Sequence, residues 1–221
     1  MDIEYILKNV EKLINEVPDY VKIVGVIKNR TIDEINLAIK GGIKILGINY
    51  VQDAIKIYDF FKNKTELHLI GHLQTNKINK AIKLFNKIQT LDSLHLAYEI
   101  NKRVEKENKI FPVFIEINVA KENSKYGIYP ENIYEFADKL KIFNNILIEG
   151  IMTMGPNVSD EKVLRKFFKE TRVIYENLKK LNYENFDLKY LSMGMSDSYK
   201  IAIEEGSNMI RIGRKIFEKN D

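Results

Sequence analysis

The sequence predicts an α/β chain closing as a single (β/α)8 barrel of the TIM type, and three observations carry that prediction. Eight short apolar runs, rich in β-branched residues, recur along the 221 residues with room for a helix between neighbours. Seven helical segments fill those intervals, and no second run of strands follows that would mark an antiparallel layer. The first run, ending in Lys28, breaks at Asn29-Arg30-Thr31, without the Gly-rich turn of a dinucleotide-binding open sheet. The doubly wound sheet is therefore the alternative architecture.

Taken in order, Asp2 to Glu16 places apolar residues at Ile3, Ile6, Leu7, Val10, Leu13 and Ile14, a helical spacing that Pro18 stops. Val21 to Ile27 is the first strand. Thr31 or Asp33 can cap the next helix, which runs through Ile39 and ends at Gly41-Gly42. Ile43 to Ile48 is the second strand, followed by a helix over Val51 to Phe61. Glu66 to Ile70 is the third, and after Gly71-His72-Leu73-Gln74 a helix continues to Phe85. Lys87 to Leu91 is the fourth, with its helix from Ser93 to Glu107. Phe111 to Val119 is the fifth, followed by a polar loop from Ala120 to Tyr129 and a helix opening after Pro130. Ile146 to Met154 is the sixth, and the loop Gly155-Pro156-Asn157-Val158-Ser159 leads into the longest helix, Asp160 to Leu181. Leu188 to Met193 is the seventh, with a short helix from Ser196 to Glu205, and Met209 to Ile212 is the eighth. The last helix is short, Lys215 to Lys219, so the extra N-terminal helix is expected to fill the outer ring beside it.

Composition excludes several classes of function. The 35 basic and 31 acidic residues interleave to a net charge of +4, with no basic block to attract nucleic acid or a membrane surface. Cys is absent, which rules out disulfides, thiolate zinc and thiol catalysis and suits a reducing cytoplasm. The N-terminus carries Asp2 and Glu4 where a signal peptide carries bases, and no apolar run reaches bilayer length. A soluble cytoplasmic protein of one domain over residues 1–221 is the expectation. His68, His72 and His95 have no metal-ligand spacing, and His68 and His95 read as structural or surface residues.

The working face of such a barrel is the C-terminal end of its strands. The residues there are Lys28, Asn49, His72, Asn118, Thr153, Ser192, Ser196, Arg211 and Gly213. Lys28 closes an apolar strand. It is either the first solvated residue of the turn or an amine held in a partly dry pocket, where desolvation favours its neutral, nucleophilic form. Ser196, with the backbone around it, is either an anion site at a helix start or an ordinary N-cap above Gly194. Arg211 points toward the mouth and needs a partner for its charge, either a ligand or a carboxylate in a structural ion pair.

Gly47-Ile48-Asn49-Tyr50-Val51-Gln52, His68-Leu69-Ile70-Gly71-His72-Leu73-Gln74-Thr75-Asn76-Lys77, Ser124-Lys125-Tyr126-Gly127-Ile128, Gly150-Ile151-Met152-Thr153-Met154, Leu191-Ser192-Met193-Gly194-Met195-Ser196-Asp197 and Ile210-Arg211-Ile212-Gly213 follow Lys28 in that order. Together they resemble the pyridoxal-phosphate homeostasis proteins, small single-domain relatives of the alanine racemase N-terminal barrel (pyridoxal-phosphate fold type III). The Gly-His-Leu-Gln and Ser-Met-Gly-Met-Ser-Asp segments are the specific ones. The resemblance implies that Lys28 forms an internal aldimine with pyridoxal 5′-phosphate. It implies that Ser196 and the backbone at Gly213 and Arg214 bind the phosphate, that Arg211 faces the pyridine nitrogen, and that Asn49 lies in the pocket wall. The family pattern has Ser before the lysine, Thr-Lys after it, and Glu before the Asn-Tyr pair; Ile27, Asn29, Arg30 and Ile48 stand there instead.

An arginine against the pyridine nitrogen keeps that nitrogen unprotonated and weakens the ring as an electron sink. Racemases of this fold compensate with a second base from a further domain. The chain ends at Asp221, a few residues past the eighth strand, so no such domain and no opposing base is expected here. The implied function is cofactor binding and delivery, with pyridoxal-phosphate-dependent enzymes as recipients, in a monomer or weak homodimer. The alternative is a small amino-acid racemase using Lys28, with water or Tyr50 opposite. A third is a phosphate-binding barrel enzyme without pyridoxal phosphate. Lys125 reads as a solvated loop lysine, with a second aldehyde acceptor as its alternative.

Overall fold

A computed structural model describes residues 3–156 and 158–219. The expected helix start at Asp2, the position Asn157 of the expected loop, and the ends of the expected domain at Met1 and Asp221 lie outside them.

The sheet is a closed barrel of eight parallel strands in sequential order. They are β1 Lys22–Val26, β2 Ile45–Ile48, β3 Glu66–Leu69, β4 Lys87–Leu91, β5 Phe111–Glu116, β6 Ile146–Met152, β7 Phe186–Ser192 and β8 Met209–Ile212. Helix α1 is Tyr5–Glu16; between strands come α2 Ile32–Lys40, α3 Val51–Phe61, α4 Ile78–Leu84, α5 Leu94–Glu105, α6 Ile133–Leu140, α7 Glu161–Lys179 and α8 Tyr199–Glu204, and α9 Arg214–Phe217 ends the series. Thr31 begins α2 with a reciprocal capping box to Glu34, while Ser93 and Asp160 cap α5 and α7.

Several predicted boundaries move, each for a local reason. The helices before β4 and after β5 open as single 3-10 turns, Thr75–Lys77 and Pro130–Asn132. β5 stops at Glu116 because Asn118 leaves the ladder: its N–H donates to Ile128 O, and its side chain binds the Glu122 and Lys125 carbonyls. The helix after β7 starts at Tyr199, not Ser196, because Met195 to Ser198 form a turn in which Ser198 N–H donates to Met195 O and Ser198 Oγ accepts from Met195 N–H.

Because strand side chains alternate, every second residue enters the barrel. Val24, Ile45, Phe114, Met152 and Met209 form its inner apolar cluster, with Tyr190 against it. The larger cluster lies between sheet and helices and includes Ile27, Ile48, Leu69, Ile115, Ile151 and Ile212. Helix α1 buries Ile6, Val10 and Leu13 and joins the ring at α9, where Tyr5 OH donates to Phe217 O and the Asn9 amide donates to Ile216 O and Glu218 O. This is the gap it was expected to fill.

Candidate functional site

The strand register sets the site. Val26 pairs with Gly47, and Val24 with Arg211, so the ends of β8, β1 and β2 lie side by side. Two residues above the Val26–Gly47 pair stand Lys28 and Asn49, which border a cavity of about 210 Å³ that reaches to the helix side, where Ile35 of α2 and Asp53 and Ile57 of α3 line it. Lys28 is exposed. Of its two readings, exposure agrees with the solvated residue of a turn: the lysine lies past the end of the strand, where Asn29 takes a left-handed φ of 59°. Asn is among the residues that tolerate that conformation. Arg30 then anchors the turn to α9, stacking on Phe217 and lying near Glu34 and Glu218.

Two of the departures from the family pattern prove to be neighbours. Ile27 and Ile48 follow the paired Val26 and Gly47, both point to the helix side, and both are buried in the core. They give an apolar wall to the same cavity that Lys28 and Asn49 border.

Asn49 Oδ1 is buried without a hydrogen-bond partner among the described residues. Its backbone is fixed by Gly71, where an added Cβ would lie 2.3 Å from Asn49 O, and Gly71 O in turn accepts from Thr90 Oγ1. Beside it the His72 ring stacks on Tyr126 at 3.9 Å between centroids, and its Nδ1 meets Asp92 at 3.0 Å.

Arg211 is 2% exposed and enters the barrel beneath the mouth. Its Nη1 donates to Ser192 O and Oγ at 2.9 and 2.7 Å, and its Nη2 to Thr153 O at 2.7 Å. No carboxylate pairs with it among the described residues, so the structural ion pair is not the answer. Burial pulls its pKa down to about 10, against the pull of Glu116, and it stays charged at neutral pH. Glu116, at the end of β5, is pushed up to about 7 by burial and by Asp92, with Arg211 opposing.

Ser196 is buried in the Met195–Ser198 turn and does not cap α8; its hydroxyl binds no other group among the described residues. Asp197, next to it, forms an ion pair with Arg214, which joins this turn to the start of α9. Gly213 lies between: a Cβ there would meet Val26 O and Cβ at 3.5 and 3.6 Å, ordinary contact distances. The protein's own packing does not demand a glycine at that point. Lys125 is not solvated as expected, since its amine donates to Gly155 O at 2.6 Å and to Glu122 at 2.8 Å.

The structure thus brings Arg211 against Ser192 and Thr153, Gly213 beside β1, and Lys28 beside Asn49. Sequence reading missed Gln89, Asp92 and Glu116. Glu116 and Gln89 end or sit in apolar strands, and a charged or amide residue on the inward parity of a buried strand was the available signal. No helix among the described residues is long and apolar enough to cross a membrane.

Comparison with known proteins gives the following. The alanine racemase N-terminal domain profile matches residues 1–220. A pyridoxal phosphate homeostasis protein of Aquifex aeolicus is 38% identical over 177 residues, 80% of this chain and 77% of the relative. Another, from Vibrio alginolyticus, is 32% identical and aligns over 100% of this chain and 97% of its own length. Among solved structures, PipY of Synechococcus elongatus with PLP bound superposes with a TM-score of 0.87 at 26% identity, covering 96% of this chain and 99% of that one.

Proposed function

We infer, because this chain belongs to the pyridoxal phosphate homeostasis proteins and has the alanine racemase N-terminal domain fold, that it binds pyridoxal 5′-phosphate at the barrel mouth and serves the cell's pool of that cofactor. The observation that carries this is the set of unspent groups in the mouth. Asn49 Oδ1 is buried, neither it nor the Ser196 hydroxyl binds a described residue, and Gly213 leaves room for backbone approach where packing asks for no glycine. Such a set fits a ligand with a phosphate at one end and polar ring substituents at the other.

The cofactor supplies an aldehyde carbon, to which a primary amine can bond reversibly. Lys28 provides that amine, and its exposure suits exchange with solvent and with recipient enzymes. Ser196 and the backbone at Gly213 and Arg214 hold the phosphate, while the Arg214–Asp197 ion pair keeps the two phosphate loops together. Asn49 orients the ring. Arg211, charged and donating only, meets a ring nitrogen as an acceptor and disfavours a proton there. The protein works in the cytoplasm as a holder and donor of the cofactor, with pyridoxal-phosphate-dependent enzymes as recipients and without turnover of its own.

The experiment is a pair of assays on the loaded protein. Mixed with an apo pyridoxal-phosphate enzyme, it is expected to restore that enzyme's activity. Incubated with L-alanine in deuterium oxide, it is expected to leave the α-proton in place. Rapid α-exchange that depends on Lys28 would make it a racemase instead.

A further inference from the structure

We propose that His68 and Gln89 are positioning residues for Arg211, acting from inside the barrel through Ser192 by a hydrogen-bond chain whose donor direction is set at every link. Their role rests on the reading above that Arg211 faces the cofactor ring. The chain starts from a group that can only donate. Arg211 Nη1 gives a hydrogen to Ser192 Oγ at 2.7 Å, so Ser192 is an acceptor there and its own single hydrogen must go elsewhere. It goes to Gln89 Oε1 at 2.7 Å. That turns the Gln89 amide nitrogen toward His68, where it lies 2.9 Å from Nδ1. Nδ1 must then accept, the imidazole proton sits on Nε2, and Nε2 donates to Glu66 Oε2 at 3.0 Å on the lower rim.

His68, Gln89 and Ser192 are each 0% exposed, so the links from His68 to Arg211 are shielded from bulk solvent. Burial holds His68 neutral although Glu66 opposes it; of the Lys87–Glu149 pair on β4 and β6, Lys87 adds to the lowering and Glu149 opposes it. A neutral imidazole with one donor and one acceptor is what the chain requires. Arg211 has no carboxylate contact among the described residues, and three of its acceptors are supplied by two residues, Ser192 and Thr153. Reversing the Gln89 amide would aim two donors at Ser192 Oγ and leave its hydrogen unplaced. The direction of the relay therefore decides whether the guanidinium keeps its lateral support, and with it its aim toward the mouth.

A matched pair of substitutions tests this. His68→Leu and His68→Asn both remove the imidazole, but only Asn keeps an oxygen near the Nδ1 position that can accept from Gln89. Gln89→Leu cuts the chain at its centre. In unliganded wild type, nitrogen NMR is expected to show His68 protonated on Nε2 alone and the Arg211 guanidinium resonances slowed by their fixed bonds. Pyridoxal phosphate binding is expected to weaken about tenfold, one buried hydrogen bond's worth, in His68→Leu and Gln89→Leu, with a shifted absorption band, and to stay near wild type in His68→Asn. A proton on Nδ1, or equal affinity and band position in folded His68→Leu and His68→Asn, overturns the proposal. Should Gln89→Leu fail to fold, the His68 pair decides alone. Should wild type not bind pyridoxal phosphate at all, the functional reading fails, and the Arg211 resonances across the same variants decide the relay.

Discussion

Glu116 is the residue whose burial has the plainest consequence for pH. It ends β5 at 5% exposure, and burial together with Asp92 lifts its carboxyl to about 7 from an ordinary 4.5. A carboxyl with a raised folded-state pKa binds its proton more tightly folded than unfolded. The stability it contributes is complete below pH 4.5, falls as pH rises toward 7, and is gone above that. Two and a half pH units correspond to an upper limit of about 3 kcal/mol. Urea unfolding of Glu116→Gln, set against wild type, is expected to show a stability difference that grows in the variant's favour between pH 5 and pH 7 and then levels. A difference that does not change with pH would place Glu116 outside the barrel interior. The same residue marks a limit of sequence reading. Glu116 closes the clearest apolar strand in the chain, and nothing in Phe111 to Val119 shows that Asp92 and Arg211, remote in sequence, converge on it. Lys28 marks another: its place at the end of β1 was legible, whereas its exposure depends on how Asn29 and Arg30 fold back to α9.

At the scale of elements, α1 closes the outer ring by docking between α2 and the short α9. Leu13 is 3% exposed on its inner face, so Leu13→Ala is expected to cost about 3 kcal/mol, with wild-type pyridoxal phosphate binding retained at low denaturant. Equilibrium denaturation measures it; a loss under 1 kcal/mol would mean that α1 is not part of the cooperative barrel. The helices were legible because their apolar residues repeat at helical spacing and their caps, Thr31, Ser93 and Asp160, carry the chemistry of an N-terminus. The segment after β7 was not. Ser192, Ser196 and Ser198 are chemically alike, and which of them begins α8 depends on the turn that Gly194 permits at a φ of +95°, where a Cβ would lie 2.6 Å from that of Ala202. Thus a hydroxyl expected at a helix cap lies instead, unspent, in the turn before it.

For the whole molecule, closure of the barrel turns distant residues into neighbours. Arg211 and Ser192 stand 19 residues apart, but Ser192 and Gln89 stand 103 apart, and Gln89 and His68 meet only because β3 and β4 adjoin. The alternation of strands and helices made the barrel legible and put Lys28, Asn49, Arg211 and Gly213 on one face. The polar layer inside it was invisible, since inward parity reveals which residues enter the barrel but not which of them touch. The central claim remains that this barrel holds pyridoxal 5′-phosphate through one lysine. The most direct test is to incubate the protein with pyridoxal phosphate, reduce it with borohydride, digest it and locate the modified lysine by mass spectrometry. Stoichiometric modification of Lys28, absent from Lys28→Ala, is the result this account predicts. Modification centred on Lys125 or spread over surface lysines, or its persistence in Lys28→Ala, would contradict it.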